Sequence, residues 1–78
     1  MELGNLTTVN NAETYRVFLI GSQIFIQQIN WQPLSVFVHQ FDNLSQAAEN
    51  GFEEVLLNLK PTGENEIIEC WREYWLSK

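Results

Sequence analysis

The sequence holds one histidine, His39, and one cysteine, Cys70. Nucleophilic catalysis needs an activated nucleophile, a base and a group that orients the base. His39 and Cys70 fall on different predicted elements, and no spacing brings them together. His39 reads as a solvent-facing strand histidine whose charge can change between about pH 5 and 8. Cys70 reads as a buried, inert thiol. Structural zinc needs several Cys or His ligands at short spacing, which this chain lacks. The nearest approach to a hard-cation loop is Glu64-Asn65-Glu66 after Gly63. It lacks the alternating oxygen ligands of such a loop, and those carboxylates read as charge at a helix start. Glu53 with Glu54, and Glu69 with Glu73, are carboxylate pairs on faces predicted to be solvated, with nothing nearby to raise a pKa. The glycines stand at 4, 21, 51 and 63, so neither glycine fingerprint for phosphate is present. The residues predict no catalytic set, no metal site and no cofactor.

What remains is surface chemistry. Trp71 and Trp75 lie one helical turn apart with Tyr74 beside them, and Trp31 sits at a turn. Aromatic anchors of this kind either cap a core or form the hot spot of a binding surface. Glu49, Glu53, Glu64, Glu66, Glu69 and Glu73 form a second candidate surface, an acidic one that steers basic partners.

Composition narrows the partner. The 78 residues carry 10 acidic and 4 basic side chains, a net charge of −6. A phosphate-neutralising surface is missing, which argues against direct nucleic-acid binding. Hydrophobic residues make up 45% and aromatics 13%, too many for a disordered acidic tail. A lone cysteine excludes an intramolecular disulfide and suits a reducing compartment. Neither a signal peptide nor an apolar run of spanning length is evident, so a cytoplasmic protein away from membranes is expected. The charge is uneven. Glu2 and Glu13 against Arg16 give a net of −1 up to residue 40; eight acidic against three basic residues give −5 from residue 41 on.

The elements that would position these residues follow from periodicity. Residues 1–12 show no clear period and read as a loose arm, with at most a short strand near Leu6 to Val9. Residues 14–20 and 23–29 read as strands joined by Gly21-Ser22, a hairpin turn. Both are apolar on parts of both faces, as though each face were covered, one by helices and the other by a partner or the arm. After a turn at Pro33, residues 34–40 form a third strand, with Leu34, Val36 and Val38 on an aliphatic face. From Leu44 the apolar residues recur at three- and four-residue steps, predicting one amphipathic helix over 43–59, capped by Asp42 or Asn43 and stopped by Pro61. A rival reading breaks it at Asn50-Gly51 and makes 53–59 a strand. A second helix is predicted over 63–76, capped by Thr62.

These elements predict a single α+β domain over residues 1–78: a three-stranded antiparallel meander followed by two helices on one face, in the order β-β-β-α-α. The expected core is Val17, Leu19, Ile24, Ile26, Val36, Val38, Leu44, Ala48, Phe52, Val55, Leu56, Leu59, Ile68, Trp71 and Trp75. The expected function is a small acidic, non-enzymatic protein-binding module, an inhibitor or accessory regulator of a larger complex. A phage- or mobile-element-encoded antagonist of host defence and an antitoxin are examples. Two alternatives stay open: a homo-oligomeric assembly subunit, with a homodimer its simplest form, and an acidic mimic of nucleic acid lying in a basic groove.

Overall fold

The computed structural model describes residues 1–76, with side chains through Tyr74. The elements are β1 (Glu2–Thr7), β2 (Glu13–Ile20), β3 (Gln23–Trp31), β4 (Leu34–Phe41), α1 (Leu44–Ala47), α2 (Glu53–Asn58), β5 (Lys60–Pro61) and α3 (Glu66–Leu76). A kinked turn, Ala48–Phe52, joins α1 to α2. The sheet has five antiparallel strands in the order β4-β3-β2-β1-β5. The three-stranded expectation is therefore overturned, although the α+β class and the central β2-β3-β4 meander stand.

Both extra strands lie on one side of the meander. The segment read as a loose arm is β1, hydrogen-bonded between β2 and β5, with Leu3 fully buried. Two features hide it in the sequence. Gly4 and Asn5 are poor strand formers, and a register shift between Glu2 and Gly4 breaks the two-residue alternation. Gly4 is needed by packing: a Cβ there would stand 2.7 Å from the Lys60 carbonyl oxygen of β5. β5 is itself two residues long and shows no period.

The helical layer departs from expectation in smaller ways. Asn43 caps α1, its side chain accepting the Gln46 N–H at 2.8 Å, while Gln46 Oε1 accepts the Asp42 N–H at 2.6 Å. Helical structure runs from Leu44 to Asn58 but kinks at Asn50 and Gly51, the latter with φ +100°. The break at Asn50-Gly51 is real, yet residues 53–58 return to helix and form no strand. The last helix begins at Glu66, later than expected. Asn65, which is buried, accepts the Ile68 N–H at 3.5 Å with its side-chain oxygen and donates Nδ2 to the Leu3 carbonyl at 3.3 Å. Thr62 is not the cap; its N–H goes to that same Leu3 carbonyl at 3.1 Å.

The core lies between one face of the sheet and the helices. Leu3, Val17, Ile24, Ile26, Ala47, Ala48, Leu56, Leu59 and Ile68 are buried, and Leu19, Leu44, Phe52 and Trp71 pack partly against them. Val55 is only half-buried. Val36 and Val38 were expected in the core but are 52% and 65% exposed. The register explains the reversal. Ile26 opposes His39 and Ile24 opposes Phe41, so the mixed face of β4 turns inward and its aliphatic face turns away.

Candidate interaction surfaces

Two surfaces are candidates for interaction, one on each side of the sheet. The first is the face opposite the helices. Register puts Phe18, Phe25 and Gln40 in one row across β2, β3 and β4, Arg16, Gln27 and Val38 in the next, and Thr14, Ile29 and Val36 beyond. Ile20 and Gln23 close one end of the face and Trp31 with Leu34 the other. Ile20, Trp31, Leu34, Val36 and Val38 are all about half exposed or more. Among the described residues no helix lies on this face. Glu2 supplies a carboxylate and Arg16 a cation, and register adds Lys60 of β5, which opposes Asn5 in the Arg16 row. Glu2 and Arg16 pair at 2.7 Å, and the Arg16 guanidinium lies 5.1 Å from the centre of the Phe18 ring. Across β2, β3 and β4 the face is thus largely apolar, with its charge confined to Arg16 and the β1 and β5 side.

Trp31 is the one sequence-predicted site residue on this face. It is half exposed, and its indole Nε1–H donates to Thr14 Oγ1 at 2.9 Å. The remaining members of the surface were read as strand residues and not as a site. Their signal was the two-sided apolarity of β2 and β3, which cannot say which side the helices take.

The second surface is helical and acidic. Glu49, Glu53, Glu64, Glu66, Glu69 and Glu73 are all exposed, as expected. The structure gathers only some of them. Glu64, Glu66, Glu69 and Glu73 border one shallow groove with Lys60 and Cys70, while Glu49 and Glu53 lie on the kinked turn and α2. Glu69 is paired with Arg72 at 3.3 Å. Trp71 is half-buried against the core and stacks on Tyr74, with ring centroids 6.0 Å apart. Tyr74 is half exposed. The Trp75 side chain lies outside the described residues. The tryptophans therefore do not form one cluster: Trp31 belongs to the open sheet face and Trp71 to the helical side.

His39 and Cys70 lie on β4 and α3. His39 is not the solvated histidine expected. It points toward the helices, shares a 3.0 Å hydrogen bond with Gln28 Oε1, and packs on the Phe52 ring at 4.8 Å. Cys70, expected to be buried, is exposed on α3. No group of three or more His, Cys, Asp or Glu side chains among the described residues is placed to hold a metal ion. Among the described residues Tyr15 has the one clear electrostatic perturbation. Burial, followed by its hydrogen bond to the Glu13 carboxylate and the charge of that carboxylate, pushes the phenol up to about 12.

Among the described residues no helix is long and apolar enough to cross a membrane. No protein-family model matches this sequence, and no curated protein or solved structure is significantly similar to it.

Proposed function

We propose that this chain is a non-enzymatic protein-binding module, a small accessory or inhibitory subunit that acts by covering a surface of another protein. The observation that carries this reading is the open sheet face, with Phe18, Ile20, Phe25, Ile29, Trp31, Leu34, Val36 and Val38 left outside the core. Three strands of about eight residues, at about 3.3 Å per residue and 4.8 Å between strands, make this face on the order of 400 Å² in projection. That lies in the range where a contiguous apolar patch marks an interaction site. The partner is a protein that presents its own apolar patch beside basic residues. The apolar contact supplies the affinity. The −6 charge of the chain speeds encounter with a basic surface and rejects acidic ones.

The reading is tested by affinity capture from cells that carry the gene, comparing three forms of the protein. The unaltered chain retains one stoichiometric partner, identified by mass spectrometry. Ile20→Lys, which puts a cation on the open face, weakens retention by at least about tenfold. Glu66→Gln, on the helical side, changes retention little at moderate salt. Equal loss from both substitutions, or loss from Glu66→Gln alone, moves the site to the acidic surface and overturns the reading.

A further inference from the structure

The sheet ends on β4, an edge strand of eight residues. Its phase can be read from one hydrogen bond. The Trp31 N–H donates to Ala12 on the β2 side at 3.0 Å. In a strand the N–H and C=O of one residue point the same way and alternate along the chain. Odd-numbered residues of β3 therefore serve β2, and even-numbered ones, Ile24 to Asn30, serve β4. Their partners on β4 are Ser35, Phe37, His39 and Phe41. The N–H and C=O groups of Leu34, Val36, Val38 and Gln40 consequently point away from the sheet, where among the described residues no strand lies.

Natural edges of this length are guarded by charges, proline or bulges. β4 has none of these: residues 34–41 contain no Asp, Glu, Lys, Arg or Pro, and its register with β3 is continuous. We infer that this edge pairs with the β4 edge of a second copy, antiparallel about a two-fold axis. Parity fixes the register. Only even-numbered residues have outward hydrogen-bonding groups, so an even residue must oppose an even residue. Full overlap of 34–40 with 34–40 then sets Val36 opposite Val38, Leu34 opposite Gln40, and Phe37 opposite Phe37 on the axis.

That register is self-complementary on both faces. The aliphatic residues meet on the open side. The two Phe37 rings, each 51% exposed in the single chain, meet on the other at the close spacing of a non-hydrogen-bonded pair. Charge selects the same contact. Two copies of net charge −6 repel, and β4 lets them join without desolvating a carboxylate. Area agrees as well. The joined sheets present two open faces side by side, together on the order of 800 Å², the amount a standard interface takes from each partner. This last argument rests on the function proposed above; the pairing itself rests on the edge.

The test measures mass in solution and register separately. Sedimentation at micromolar concentration gives a dimer for the unaltered chain. Val38→Pro removes one outward N–H per copy and leaves the β3 ladder whole, so it weakens the dimer by at least about tenfold while circular dichroism stays that of a folded chain. In a Cys70→Ser background, Phe37→Cys forms a disulfide-linked dimer under mild oxidation, and Ser35→Cys does not, because its counterpart is four residues off. A monomer at high micromolar concentration, or equal cross-linking from Ser35→Cys and Phe37→Cys, overturns the pairing. A monomer that still retains a partner through Ile20 leaves the proposed function intact. A dimer that retains none does the reverse.

Discussion

At one end of the sheet, β5 offers two residues, Lys60 and Pro61, and one of them has no N–H to give. At the other end, β4 offers eight residues without a charge or a proline. A charge, a proline and shortness are the devices by which strand edges are kept from pairing, and all three are spent on β5. The same asymmetry separates the two faces. The side under the helices holds the buried Val17, Ile24 and Ile26, and the side away from them keeps Leu34 and Val38 about two-thirds exposed. The lesson is that exposure here is directional. The chain has the means to blunt an edge and to cover a face, and it uses them on one side only.

Substitutions separate the two sides, beginning with the faces. Ile26→Ala, under the helices, should cost about 2–5 kcal/mol, and Val38→Ala, on the open face, no more than about 1 kcal/mol. Thermal unfolding at high dilution, where copies are separate, measures both; equal costs would mean that the two faces are packed alike. The edges come next. Gly4→Ala forces a methyl group against the Lys60 carbonyl, 2.7 Å from the ideal Cβ position. It should destabilise the fold by about 1–3 kcal/mol. Hydrogen exchange should show the Thr62 amide, which bonds to Leu3, losing protection first, and a change confined to β4 would refute that account.

The smallest effect is in pH. Tyr15 packs under the helical layer, and its folded-state pKa of about 12 lies above the ordinary 10. Between those values the unfolded chain has lost the phenol proton and the folded chain has kept it. Stability from this group is therefore complete below about pH 10 and declines as pH rises through about 12. Glu13→Gln should bring the ionisation, followed by ultraviolet absorbance, back toward its ordinary value. A titration unmoved by that change would leave burial as the sole cause.

The sequence disclosed what local periodicity encodes. Val17, Ile24 and Ile26 alternate on β2 and β3, and Leu56, Leu59 and Ile68 fall on helical spacings; all are buried. The cap was legible as one of Asp42 and Asn43, and Asn50-Gly51 as a place where the helix could break. Long-range facts were not legible. β1 is held by neighbours from distant parts of the chain, and its bulge and Gly4 erase the alternation that would have revealed it. The inward side of β4 depends on how the turn at Pro33 sets register, and a one-residue difference sends Val36 and Val38 to the opposite face. The acidic residues were rightly read as exposed. The open apolar face was anticipated only as the two-sided character of β2 and β3, because nothing local says which face a helix will choose.

The Leu3 carbonyl accepts both the Thr62 N–H and the Asn65 side chain, so the second strand edge and the last helix are tied to the first strand across some sixty residues of chain. The β2-β3-β4 hairpins close over short loops and form early, whereas this closure is long and comes late. Until that closure forms, the core face of the meander has at most α1 and α2 to cover it, without the packing of Leu3 and Ile68. In that interval the chain is more adhesive than it will be when finished. How long that adhesive state lasts is set by how quickly the segment 62–65 reaches back to Leu3.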